Sequence, residues 1–172
     1  NCCRRKKRRH PMRARPGCRA ARFDRCPRPD PSNVQKLPPR SPYEKLGGYV
    51  HLPRLIDKAR LHRKGLLDGY NYKTVGFDKH LLAFLKLDGD EFEEVANRLD
   101  DDNAVLKWVE EHGAKHSREA IEHWNQTMIS RYPDTAAKKA RFIHFLKEAG
   151  GEGRQDIRTY FDLIEFDEGR LK

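Results

Sequence analysis

The chain has 172 residues, with 36 Lys and Arg against 26 Asp and Glu, a formal net charge of +10. Residues 1–40 hold 14 of the basic and two of the acidic side chains, net +12, so residues 41–172 carry 22 against 24, net −2. All four cysteines (Cys2, Cys3, Cys18, Cys26) lie in the first forty residues, which excludes a disulfide framework or a catalytic thiol from the rest and points to a reducing, cytoplasmic setting.

Residues 1–32 read as a disordered basic tail rich in Arg, Pro and Cys, because few large apolar side chains are available to offset the entropy of ordering it. Its run Arg4-Arg5-Lys6-Lys7-Arg8-Arg9 would bind any polyanion by neutralising phosphates, so non-specific nucleic-acid binding belongs to the tail alone. The chain opens on Asn1 rather than Met, and the composition of the tail fits translation of GC-rich DNA upstream of a start near Asn33. Cys2 and Cys3 are adjacent, and Cys18 and Cys26 lie too far apart for the usual zinc spacing, so no metal is expected there.

Residues 33–172 are expected to form a single helical domain. Leu52, Leu55, Ile56 and Ala59 recur at helical spacing, with Gly65 placed to stop the helix. Turn formers at 66–76 predict a loop, with at most one small strand or hairpin near 70–75. Asp78 is read as the cap of a helix that turns Leu81, Leu82 and Leu85 inward. Asp88 with Glu91 fits a capping box ahead of Phe92, Val95, Ala96 and Leu99. Asp100–Asp102 cap the next helix, which runs through Val105, Trp108 and Val109 to Gly113. Ser117 caps one with Ile121, Trp124 and Met128, ended by Pro133. Asp134 is expected to cap a helix with Ala140, Ile143 and Leu146 inward. Asp156 is expected to cap the last, with Ile157, Tyr160, Phe161 and Ile164. The fold class is therefore all-α, a compact bundle of about six to seven short helices. No apolar run approaches the roughly 18–20 residues that cross a bilayer, so no membrane partner is expected.

Motifs for chemistry are sparse. Gly150-Gly151-Glu152-Gly153 follows a helix rather than a strand and reads as a helix stop, not a phosphate loop. The acidic stretches at Asp88 and Asp100 fail the calcium-loop pattern, with Phe92, Ala104 and Val105 at key positions. His116, Glu119 and His123 do not share a helix face once Ser117 is the cap. Neither a metal nor a cofactor is expected, and no catalytic residue is assigned.

The segment Leu46–Arg60 is the exception. Arg54, Asp57, Lys58 and Arg60 load one helix with charge directly after Gly47-Gly48, and the first three, at i, i+3 and i+4, can meet in space. Such a network would orient cations toward an anionic ligand, with Tyr49 or His51 beside it. These six residues are the candidate binding site; a salt-bridged face without a ligand is the simpler alternative.

Pro38-Pro39-Arg40-Ser41-Pro42, Leu46-Gly47-Gly48, Leu52-Pro53-Arg54-Leu55-Ile56-Asp57-Lys58-Ala59-Arg60 and the Asp156–Leu163 run resemble a bacterial family of small proteins, the domain of unknown function family numbered 5069. The resemblance covers roughly residues 33–172 and implies no catalytic residue or ligand. The expected function is a non-enzymatic binding or interaction domain with a small anion or a protein as partner. The alternatives are an enzyme that uses Asp57 beside Arg54 and Lys58 in a pocket, and nucleic-acid binding through the tail.

Overall fold

A computed structural model of the chain describes residues 37–172. The expectations for the basic tail lie outside the described residues. Among the described residues the order is β1 (Lys45–Leu46), β2 (Tyr49–Val50), α1 (Leu52–Arg63), α2 (Gly76–Leu85), α3 (Gly89–Arg98), α4 (Asp102–His112), α5 (Arg118–Ile129), α6 (Ala136–Glu148) and α7 (Tyr160–Asp167). Residues 37–172 are all-α with one small antiparallel hairpin.

Helix α1 is the centre of the packing. Its i, i+3, i+4, i+7 stripe of Leu52, Leu55, Ile56 and Ala59 is fully buried, each Leu or Ile contributing about 1.5–3 kcal/mol. Pro53 sits in its first turn, and Arg60, His62 and Arg63 in its last turn complement the helix dipole. Beyond the cap, Gly65 takes φ of 67°, which ends the helix. Helices α2 to α5 supply Leu81, Leu85, Phe92, Val95, Val105, Val109 and Trp124 to the same core, and α7 adds Phe161. A second, smaller core joins Phe142 and Leu146 of α6 to Ile157 and Leu163.

The hairpin lies at Lys45–Val50, not near 70–75. Gly47 and Gly48 have φ of 59° and 89°, the paired positive values that a two-residue hairpin turn demands. A Cβ on Gly47 would also overlap the Leu106 side chain. Asn125, fully buried, pins the turn: its Oδ1 accepts from Val50 N at 3.2 Å and its Nδ2 donates to Gly48 O at 2.8 Å. Residues 70–75 contain no strand. Tyr72 there packs its ring 5.1 Å from that of His62, and Lys73 adopts a left-handed φ of 54°.

Asp88 and Ser117 cap α3 and α5 as expected, and Asp101 caps α4. Three caps differ. Thr135 rather than Asp134 caps α6, while Asp134 pairs with Lys138 at 2.7 Å. Thr159 rather than Asp156 caps α7, because Asp162 returns the hydrogen bond and completes a capping box. That satisfies two helix-end donors where Asp156 would satisfy one. Asp156 instead pairs with Arg154 at 2.6 Å. Asp78 lies inside α2, whose cap is Val75.

The inward face of α6 also differs. Phe142 and Leu146 are buried, whereas Ala140 and Ile143 are exposed. The helix carries two apolar stripes, and burying Phe142 removes far more area from water than burying Ala140 does.

Candidate functional site

Every charged side chain singled out on α1 is drawn to a partner on another element. Arg54, Asp57 and Lys58 do not meet one another. A strap at residues 38–42 crosses α1, and its Arg40 clamps Asp57: Arg40 N and Nε donate to Oδ2 at 2.9 and 2.8 Å, and a guanidinium nitrogen donates to Oδ1 at 2.8 Å. The same guanidinium reaches Asp102 at 2.6 Å. The Asp57 hydrogen bond, with the neighbouring carboxylate charges, raises the Arg40 pKa despite partial burial.

Arg54 is 2 % exposed. It donates to Pro39 O at 3.1 Å, Arg40 O at 2.9 Å and Glu168 Oε2 at 2.8 Å, with a second, shorter contact to Glu168 Oε1. Arg54 therefore ties the strap to the end of α7. Arg60 binds the α3–α4 junction, donating to Ala96 O, Leu99 O and Asp100 O at 2.9–3.1 Å and to Asp102 at 2.8 Å. Burial would raise the Asp102 carboxyl, but Arg40 and Arg60 outweigh it and hold it low.

The innermost group joins residues of α1 and α2 with His51, which sequence spacing alone does not bring together. Lys58 Nζ donates to both oxygens of Asp78 at 3.0 Å and to Asn71 O at 2.9 Å. His51 Nε2 lies 2.7 Å from Asp78 Oδ1. His51, Lys58 and Asp78 are 1 %, 6 % and 1 % exposed. Tyr49 lines the core beside Phe84, with ring centroids 6.4 Å apart.

Burial lowers the His51 pKa, and the Asp78 hydrogen bond only partly opposes it. The neutral ring then donates through Nε2, which leaves Nδ1 buried and without a hydrogen-bond partner. Burial would raise the Asp78 carboxyl, but the His51 hydrogen bond and the Lys58 charge together hold it below its ordinary value.

A proton thus binds His51 more readily in the unfolded chain, so stability falls as pH drops below the free imidazole value of 6.5. The Asp78 contribution is full above its unfolded value of 3.8 and is lost as pH falls through its lower folded value. The urea midpoint is expected to fall between about pH 7.5 and about pH 5. His51→Gln reduces that fall and leaves the share of His80, which burial and Arg131 also keep low. A midpoint that is flat across this range, or unaffected in slope by the substitution, would contradict the assignment.

A histidine, an aspartate and a lysine in contact have the makings of proton transfer, but these are sealed from solvent. Two surface hollows lie elsewhere. One is lined by Arg118, Glu119, Glu122, His123 and Gln126 of α5. The other lies between Lys73–Thr74 and the start of α3. Neither is lined by a residue of α1. Among the described residues no group of three His, Cys, Asp or Glu side chains is arranged to hold a metal ion, and no helix is long and apolar enough to cross a membrane.

Asp78, Glu168, Arg40 and Asp102 are the partners that sequence reasoning did not assign. For Asp78 a signal existed: it shares the i, i+3, i+4, i+7 stripe with Leu81, Leu82 and Leu85, where a carboxylate needs a buried partner. For Glu168, 114 residues from Arg54, no local signal exists.

A family model described as a domain of unknown function (DUF5069) matches residues 36–170. No curated protein matches the chain.

Proposed function

The chain belongs to the DUF5069 family, and we propose that it is a non-enzymatic interaction domain whose partner-facing surface is carried by the Tyr132–Phe145 region. One observation carries this reading. Arg54, Asp57, Lys58 and Arg60 of α1 are each held by an internal partner, while Ile143 on α6 and Tyr132 just before that helix are 63 % and 62 % exposed. A large apolar side chain left this open on a helix that also carries exposed Ala136 and Ala140 on the same line fits a surface that meets another molecule. A cytoplasmic setting is part of the same reading, supported by the absence of cysteine from residues 37–172.

The test is photo-crosslinking in the producing cells, with a photoreactive phenylalanine analogue at position 143 or, as a control, at exposed Arg63. The expected result is a discrete protein adduct from position 143 and none from position 63. No adduct from position 143, or the same adducts from both, would overturn the reading.

A second reading keeps Tyr49, His51, Arg54, Asp57, Lys58 and Arg60 as a small-anion site. Its support is Arg54 Nε, a buried donor with no acceptor, which ordinarily costs about 1–3 kcal/mol. Against it, Glu168, Asp57, Asp78 and Asp102 already occupy the places an anion would take. A thermal-shift series with phosphate, citrate and nucleoside phosphates separates the two readings. A midpoint raised by one of these anions in the native chain and not in Arg54→Met would favour the anion site.

A further inference from the structure

We propose that the stripe Ala136, Ala140 and Ile143 on α6 is the docking seam for an acidic amphipathic helix of a partner protein. The inference rests on the interaction-domain reading and names the surface and the chemistry of its partner. The three residues stand at i, i+4 and i+7, one line along the helix, and all are exposed. The adjacent stripe of the same helix, Phe142 and Leu146, is already buried against Ile157 and Leu163. The seam is therefore a second apolar line that α7 does not cover. On the other flank, the Arg141 guanidinium stands 5.4 Å from the ring centroid of half-exposed Phe145, while Ile143 is 63 % exposed.

Charge selects the occupant. Helix α6 carries Lys138, Lys139, Arg141 and Lys147 against Glu148 alone. Lys139 borders the seam one turn before Ile143, and Lys147, one turn after Ile143, closes the same line at its C-terminal end. Lys147 meets Glu152 at 3.0 Å in an exposed pair, and Lys138 meets Asp134. A second copy packed α6 against α6 would bring these like charges face to face, which disfavours self-association through this face. The two alanines let a partner helix approach to the short end of the usual 8–10 Å range. A carboxylate flanking its apolar line would then meet Lys139, in the manner of the flanking charges of a coiled coil, and one at the end of the line would meet Lys147.

The probes are two synthetic helical peptides of about 20 residues, long enough to populate a helix. Both carry leucine along one line; glutamates flank the line in one and lysines in the other. Binding to the full chain is read by fluorescence anisotropy, with thermal midpoints recorded for each variant. The glutamate peptide is expected to bind the native chain, about tenfold or more weaker in Ile143→Asp. Lys139→Glu should weaken the glutamate peptide and strengthen the lysine peptide, with no variant changing its midpoint. Equal binding of the glutamate peptide to all variants would place it on another basic segment and overturn the proposal. Preference of the native chain for the lysine peptide, or binding of neither, would also overturn it. Position-143 adducts in the crosslinking experiment would leave the interaction-domain reading standing in each of these cases, and their absence would remove that reading itself.

Discussion

Asp78→Ala should destabilise the protein by about 3–5 kcal/mol, the largest single effect expected outside the apolar core. The substitution removes the carboxylate that Lys58 Nζ meets at 3.0 Å and His51 Nε2 at 2.7 Å. Lys58 would keep only its bond to Asn71 O, with most of its side chain shut away from water, and a buried ammonium without a counter-charge is among the costliest single defects a fold can carry. His51, its Nδ1 already without a partner, would lose its remaining side-chain hydrogen bond. Against a total stability of the order of 5–15 kcal/mol, this is a large fraction, and chemical denaturation of the full chain would read it directly. A loss under about 1 kcal/mol, the worth of a surface ion pair, would show that the cluster is open to solvent.

Glu168→Ala is expected to cost about 3 kcal/mol, for a related reason at a different place. Glu168 accepts both terminal nitrogens of Arg54 and is contacted by Arg170, so its removal leaves two guanidinium groups facing each other without the anion between them. Arg54 retains its bonds to Pro39 O and Arg40 O, which is why the cost is set below that of Asp78→Ala. The loss should be local as well as global. Amide exchange of residues 160–168 should accelerate, because Arg54 is the group that ties the end of α7 to the strap and to α1. Unchanged exchange in α7 would mean that the Phe161 contacts alone hold the helix.

These expectations mark the boundary of what the sequence could reveal. The helices were legible because their signals are local: Asp88 and Ser117 announce α3 and α5, and the stripe Leu52–Leu55–Ile56–Ala59 announces the buried face of α1. The charged residues of α1 were legible as unusual, but their roles were not. Arg54 is completed by a carboxylate 114 positions away, and Lys58 by one that looked like a helix cap. Asp78 stands three residues before Leu81, as a cap would, and only the packing of α2 on α1 turns it inward. The exposed line of α6 was hidden for a different reason. Ala136–Ala140–Ile143 and Phe142–Leu146 both have helical spacing, and periodicity cannot say which of two stripes finds a neighbour; the larger area of Phe142 decides it.

The account holds that the charges of α1 work inward as a structural lock, with α6 left to meet other molecules. Its most direct test is a double-mutant cycle across Lys58 and Asp78, read by denaturant unfolding of the full chain. Each single substitution, Lys58→Met and Asp78→Leu, should lose about 3–5 kcal/mol, while the pair together should lose clearly less than the two losses added, because two apolar side chains can share the space of a buried ion pair and only the cost of leaving His51 unpaired remains. Additive losses, each below about 0.5 kcal/mol, would contradict it and return both residues to the surface, free to serve a ligand.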